Sequence, residues 1–234
     1  MKYLSKIYSE ERKPVTNYPN ELAAHLIKKI KKNSGKLIDV GCGRGDQLRA
    51  FSKLGFDVKG IDISDEAGEL CNPFQVYKIN LDNEDPVKIL GEEKFDVVFS
   101  KSLIEHLKNP INFLNNCKKL LKDDGILIIM TPSWYHHKFG PFYLDFTHCT
   151  PFTLQSLRDV GEMCEFQSVK VNYFYQLPIL WKYSIVKIIC LAIQFFKLPY
   201  YPMHEQLFHI RWPDNFNKFV KFSREVMLIA FMRK

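Results

Sequence analysis

Short apolar runs recur along the chain at 36–40, 57–61, 75–80, 95–100, 126–131, 166–173 and 225–232, and stretches of helical periodicity fill the gaps between the first six. Runs of this length read as buried strands, and their alternation with helices predicts a mostly parallel sheet with right-handed crossovers. The first helical pattern spans 21–32, where Leu22, Ala23, His25, Leu26 and Ile30 can share one face. Its Lys28-Lys29 and Lys31-Lys32 pairs fall at the helix C-terminus, which favours cations. Residues 1–20 have no such pattern and are expected to be irregular.

Between the first two runs stands Gly41-Cys42-Gly43-Arg44-Gly45-Asp46, and Asp62 closes the second. A dinucleotide turn reads G-x-G-x-x-G, with the pyrophosphate on the helix N-terminus. Here the spacing is G-x-G-x-G, and Asp46 stands in the place of the third glycine. An acid there repels a pyrophosphate. Glycines at 41 and 43 still allow close backbone approach, and an acid about twenty residues downstream can accept from both ribose hydroxyls. The pattern favours a nucleoside without phosphates.

Leu37-Ile38-Asp39-Val40-Gly41-Cys42-Gly43-Arg44-Gly45 thus resembles the first motif of the class I S-adenosylmethionine-dependent methyltransferases: an apolar strand, an acid, then G-x-G-x-G. The likeness continues in order through Tyr77-Lys78-Ile79-Asn80-Leu81-Asp82, then Phe95-Asp96-Val97-Val98-Phe99-Ser100 with Ile104-Glu105-His106-Leu107, then Leu120 to Ile129, covering roughly residues 35–131. It implies an α/β fold, a single Rossmann-like domain over 1–234 with its cofactor core at 21–131. The sheet would have seven mostly parallel strands with an antiparallel last strand beside the sixth, and a helical lid inserted between strands 6 and 7. The implied cofactor is S-adenosyl-L-methionine. Gly41 and Gly43 would hold its amino-acid part, Asp62 with neighbouring Ile63 the ribose side, and Asn80 with the Leu81 backbone the adenine edge. Ser100 joins this set, and Asp39 would orient either the turn or the cofactor's ammonium.

Two segments exceed what such a sheet needs, 132–150 and 174–224. Ligands of open α/β sheets bind beyond the carboxyl ends of the parallel strands. Both extras leave from that end, so both are expected to sit over the cofactor and build the acceptor site. The family reaction is an in-line displacement on an activated sulfonium, in which positioning does most of the work. An alcohol acceptor would also gain from a base. His148, with Asp145 three residues before it, is the first candidate, and His106 the second. Asp145-Phe146-Thr147-His148 with Pro151-Phe152-Thr153 resembles a subset of bacterial and archaeal methyltransferases associated with polysaccharide or lipid-linked sugar modification. The plainer alternative is that Thr150 or Thr153 caps the next helix while Asp145 and His148 brace the loop. His136, His137, His148 and Cys149 match no zinc spacing, so no metal is expected.

The leading reading is therefore O-methylation of a sugar or lipid-linked glycan hydroxyl. A small-molecule or polyprenyl-quinone O-methyltransferase is the alternative; an RNA methyltransferase and a non-catalytic cofactor-binding protein are more distant rivals. Residues 181–197 bear on the acceptor's location. On one helix, Trp181, Ile185, Ile188, Ile189, Leu191, Ala192, Phe195 and Phe196 share a face opposite Lys182, Lys187, Gln194 and Lys197. That helix could lie in a membrane interface but not span it. A chain of 234 residues with 46% hydrophobic content suits one well-buried domain, and its net charge of +7 suits an anionic surface. Six cysteines without a C-x-x-C, behind a polar start, suggest an intracellular chain with reduced thiols, cytoplasmic or peripheral at the inner membrane surface.

Overall fold

The computed structural model describes residues 4–5, 14–138, 140–201 and 212–234. Seven strands form one sheet: β1 (Gly35–Val40), β2 (Phe56–Asp62), β3 (Gln75–Lys78), β4 (Phe95–Lys101), β5 (Leu121–Pro132), β6 (Ser168–Phe174) and β7 (Met227–Arg233). Their order is β3-β2-β1-β4-β5-β7-β6. All run parallel except β7, which lies antiparallel between β5 and β6. The fold is the expected single α/β domain.

Helices cover both faces: α1 (Tyr18–Ile30), α2 (Asp46–Lys53), α3 (Glu66–Leu70), α4 (Val87–Leu90), α5 (Pro110–Leu120), α6 (Trp134–His137), α7 (Leu154–Met163), α8 (Pro178–Lys182), α9 (Val186–Phe195) and α10 (Asp214–Arg224). Strand alternation divides the core between the two faces. Ile38, Val98 and Ile129 pack with Phe113 and Leu157 on one side. Leu37, Val97 and Ile128 pack with Leu22, Leu26 and Phe51 on the other. Each such side chain contributes roughly 1.5–3 kcal/mol on burial, which is why the central runs carry no polar alternation.

Several boundaries differ from the sequence reading. Helix α1 begins at Tyr18, with Pro19 in its first turn, where a missing N–H costs nothing. Leu4 is buried and Ser5 donates to Glu66, so part of the supposedly irregular start is packed; residues 1–3 and 6–13 lie outside the described residues. Strand β5 starts at Leu121, ahead of the apolar run at 126–131, and a register shift against β4 between Phe95 and Val97 absorbs the extra residues.

The segment 181–197 is not one helix. Helix α8 ends at Lys182, and α9 starts at Val186. Trp181 stacks on His25 at 4.6 Å and contacts Phe174 at 5.4 Å, so it anchors the insertion to α1 instead of joining a free face. On α9, Cys190 and Ile193 point inward, and Gln194 donates to the Ser223 carbonyl at 2.6 Å. The face that meets solvent is the apolar one: Ile185, Ile188, Ile189, Leu191, Phe195 and Phe196 are exposed. The part of the insertion at 202–211 lies outside the described residues.

Candidate active site

The carboxyl ends of β1, β2 and β4 converge on the glycine turn. Gly41 and Gly43 take φ of 80° and 54°, a left-handed backbone that a side chain would strain. Asp62 closes the turn from β2: Oδ2 accepts from the Gly43 amide at 2.8 Å and Oδ1 from the Ser64 amide at 2.8 Å. Each carboxylate oxygen keeps a further lone pair for a ribose hydroxyl. Ile63 beside it is 60% exposed, an open apolar surface for a ring. Asp46 pairs with Arg44 at 2.7 Å and Arg49 at 2.8 Å. Its effect on a pyrophosphate is thus to fill the helix N-terminus, not to present a bare charge.

Behind the turn lie three ionisable groups with few water contacts. Burial, then Asp62 and Asp46 against Lys101, pushes Asp39 up to about 8. Burial pushes the Lys101 ammonium down, opposed by Glu105, Asp39 and Asp46. Burial also raises Glu105 to about 7, although its own backbone amide and the Thr131 hydroxyl favour the carboxylate. Among the described residues no cation is within ion-pair distance of Asp39, and the ammonium of the implied cofactor would be such a partner. Together with the glycine backbone and the spare lone pairs of Asp62, these residues fit S-adenosylmethionine.

Asn80 and Leu81 follow β3. The Asn80 side-chain carbonyl accepts from the Asp82 amide at 3.1 Å and the Asn80 backbone N–H donates to the Glu84 carboxylate, while Leu81 is buried. Ser100 differs from the expectation. Its hydroxyl is buried and donates to the Val40 carbonyl at 2.9 Å, locking β4 to β1, so only its main chain is left for a ligand.

Beyond β4 the chain turns through Ser102, whose φ of 55° is uncommon outside glycine, into the short helical turn Ile104–His106. The loop after β5 is fastened onto that turn. The Cys149 and Thr150 amides donate to the Glu105 carbonyl at 2.9 and 3.0 Å, and the Thr150 hydroxyl donates to the Leu107 carbonyl at 2.7 Å. Thr153, not Thr150, caps α7, in a capping box with Ser156.

His148 and Asp145 are both here, yet the carboxylate does not orient that imidazole. His148 Nδ1 lies 2.6 Å from the Phe142 carbonyl, which can only accept. Asp145 instead accepts from the Thr147 hydroxyl at 2.5 Å, and Thr147 Oγ1 lies 2.8 Å from His106 Nδ1. Because the threonine proton is committed to Asp145, His106 Nδ1 is the donor in that contact. Both imidazoles therefore hold a proton on Nδ1, which leaves Nε2 as the acceptor nitrogen of each neutral ring. Their ring centroids are 4.5 Å apart. A carboxylate oxygen of Glu105 and one nitrogen from each ring lie within 4.8 Å of one another.

His136 and His137 stand apart from this set. Burial, aided by His137 at His136 and by His148 at His137, lowers both to about 4, and both are fixed through Ser133. The sequence reading missed Lys101, Thr147, Phe142 and the closeness of the Glu105 carboxylate to both imidazoles. A lysine ending an otherwise apolar strand was the available signal for Lys101; the others depend on a contact between segments distant in sequence.

Residues 12–171 match a methyltransferase-domain family, more than half of the chain. Over 105 residues the chain is 34% identical to the ubiquinone biosynthesis O-methyltransferase of Glaesserella parasuis, covering 41% of this chain and 44% of that protein. The enzyme of the same name from Pelagibacter ubique is 33% identical over 99 residues, covering 41% of each. The matches thus span less than half the length of these relatives. A methyltransferase from Archaeoglobus fulgidus has the same fold, with a TM-score of 0.64 at 20% identity over 97% of this chain and 99% of its own. The plantazolicin methyltransferase BpumL, crystallised with S-adenosylhomocysteine, gives 0.63 at 18% identity over 99% and 89%. With that family match, this sheet order and a crevice suited to a nucleoside without phosphates, the chain belongs to the class I S-adenosylmethionine-dependent methyltransferases.

Proposed function

We propose that the chain methylates a hydroxyl of an amphiphilic, membrane-borne acceptor. The carrying observation is the convergence of one ring nitrogen from each of His106 and His148 on a Glu105 carboxylate oxygen, at the carboxyl edge of the sheet and next to an apolar rim. Tyr143, Leu144 and Phe146 of that rim are 61%, 69% and 84% exposed, which suits an acceptor with an apolar body. A polyprenylated phenol is favoured over a sugar, and the relatives named for ubiquinone biosynthesis agree with it. A lipid-linked sugar is the second reading; it rests on the Asp145–Thr147–His148 pattern and would lay its lipid on the same rim.

Gly41, Gly43, Asp62, Ile63, Asn80, Leu81 and Asp39 hold the cofactor in this reading. The chemistry it supplies is an electrophilic methyl on a sulfonium. The chain's own task is to align the acceptor oxygen and ionise it. His106 and His148, with Glu105, form the place where the hydroxyl ionises, and Asp145 is a positioning residue acting on His106 through Thr147. The exposed face of α9 leaves from the same sheet edge and, flanked by Lys182, Lys187 and Lys197, is proposed to rest on an anionic membrane.

The test is S-adenosylhomocysteine release with a polyprenylated phenol, a lipid-linked sugar and a water-soluble sugar as acceptors. His106→Ala and His148→Ala should keep cofactor affinity and lose turnover by about a hundred- to ten-thousand-fold. Asp62→Ala should weaken cofactor binding itself. Preference for the soluble sugar, or full turnover in both histidine variants, would reject the reading.

A further inference from the structure

We infer that Glu105, His106 and His148 form a binding site for one divalent cation of the zinc type, and that the cation presents an open position to the acceptor oxygen. The inference rests on the hydroxyl-methylating reading above and states how the hydroxyl is ionised.

Two histidines and one carboxylate, Glu105 and His106 from the turn after β4 and His148 from the loop after β5, bring their donor atoms within 4.8 Å of one another. Donors around one zinc, bound at about 2.0–2.2 Å, sit roughly 3–4 Å apart, so small side-chain shifts close the set. The carboxylate is the telling member. Glu105 is fully buried; Oε2 accepts from Thr131 at 2.9 Å, but among the described residues Oε1 has no hydrogen-bond partner. Leaving a buried carboxylate oxygen without a partner is costly, and coordination to a cation would remove that cost.

The surroundings have the form that metal-binding imidazoles take. Ligating histidines commonly donate their second ring N–H to a carbonyl or, directly or through another group, to a carboxylate, which fixes the tautomer and aims the remaining nitrogen. His148 does so to the Phe142 carbonyl, and His106 to Asp145 by way of Thr147. The Glu105 carbonyl also holds the Cys149 and Thr150 amides, so the segment bearing one ligand pins the loop bearing another. Mixed nitrogen and oxygen donors favour zinc-type ions over magnesium or calcium, which prefer oxygen alone.

Three protein ligands leave a fourth position open, as in catalytic zinc sites. An acceptor R–OH bound there becomes R–O⁻ on the cation and releases its proton to solvent. The oxygen lone pair then forms the new O–CH3 bond, while the S–CH3 bond breaks and its electron pair returns to sulfur. No other co-reactant is required.

Cobalt(II) is the probe, because its visible d–d absorption reports coordination without turnover. The chelator-treated protein should bind one equivalent, released by zinc. His148→Ala and Glu105→Gln should lose the absorption, Cys149→Ser should retain it, and Thr147→Val should weaken binding about ten- to a hundredfold. No saturable absorption, unchanged absorption in His148→Ala and Glu105→Gln, or a thiolate band lost in Cys149→Ser would overturn the site. Turnover that survives chelation with no cobalt bound would overturn the cation alone and leave hydroxyl methylation standing. Stoichiometric cobalt binding without methyl transfer to any hydroxyl would support the site and overturn that reading.

Discussion

At the scale of single residues, the most perturbed group in the crevice is Asp39, and its perturbation has a readable sign. A folded pKa above the unfolded value means that the native chain keeps a proton the unfolded chain has released. Stability should therefore fall as pH rises from roughly 4 to about 8, following proton linkage. Asp39→Asn needs no proton and should flatten that decline in thermal melts of the cofactor-free protein. Parallel pH slopes in wild type and variant would rule out the assignment. Gly41, Gly43 and Asp62 were legible in the sequence because turn chemistry is local. The Asp145–His148 pairing was misread for the converse reason. Three-residue spacing aligns side chains only on a helix, whereas this loop leaves the short helical turn Pro141–Leu144 with extended backbone at Asp145. The partner of Asp145 is reached through Thr147, and His106 lies 41 positions before that threonine, beyond any local pattern.

At the scale of elements, strands read well and the insertion read poorly. A strand buried on both faces is a continuous apolar run, and β1, β4 and the second half of β5 are such runs. Helical periodicity in 181–197 grouped Ile185, Ile188, Ile189, Leu191, Phe195 and Phe196, which are exposed together, but it ran across the break after Lys182 and took in Trp181, and periodicity does not say which face points inward. Ile193 and Cys190 pack with or near Tyr200, Val220 and Ser223, while a wider apolar face stays in solvent. The orientation makes a prediction that distinguishes the faces. Ile193→Ala should cost about 2–5 kcal/mol through the cavity it leaves. Ile188→Ser should stay within about 0.5 kcal/mol, as expected for a surface substitution. Urea midpoints would measure both, and equal losses would mean that the helix is turned the other way.

At the scale of the whole molecule, the two ends of the sheet do different work. At the amino ends of the parallel strands, burial would raise the Asp96 carboxyl, but Lys122, the Lys36 amide and Lys32 outweigh it and hold the pKa below the usual range. That web ties α1, β1, β4 and β5 together. At the carboxyl ends lie the glycine turn, the histidine pair and both extra segments. Contact of His136 with Tyr173 at 4.9 Å joins the post-β5 loop to β6 just before the insertion begins. No helix among the described residues is long and apolar enough to cross a membrane. Yet exposed Ile185, Ile188, Ile189, Leu191, Phe195 and Phe196 form a patch of the kind that marks an interaction surface. Lysines near an anionic bilayer add roughly 1 kcal/mol each, and three flank this patch in a chain of net charge +7. The proposed docking therefore combines an apolar contribution insensitive to salt with a charge contribution that salt screens. Wild-type protein should float with anionic vesicles at low salt and less at high salt, and neutral vesicles should retain a weaker fraction. A doubly substituted Ile188→Ser, Phe195→Ser protein should stay folded, bind cofactor and remain at the bottom of the gradient. Equal flotation of the two proteins, or none by the wild type, would detach α9 from the membrane and shift the favoured acceptor toward a soluble molecule.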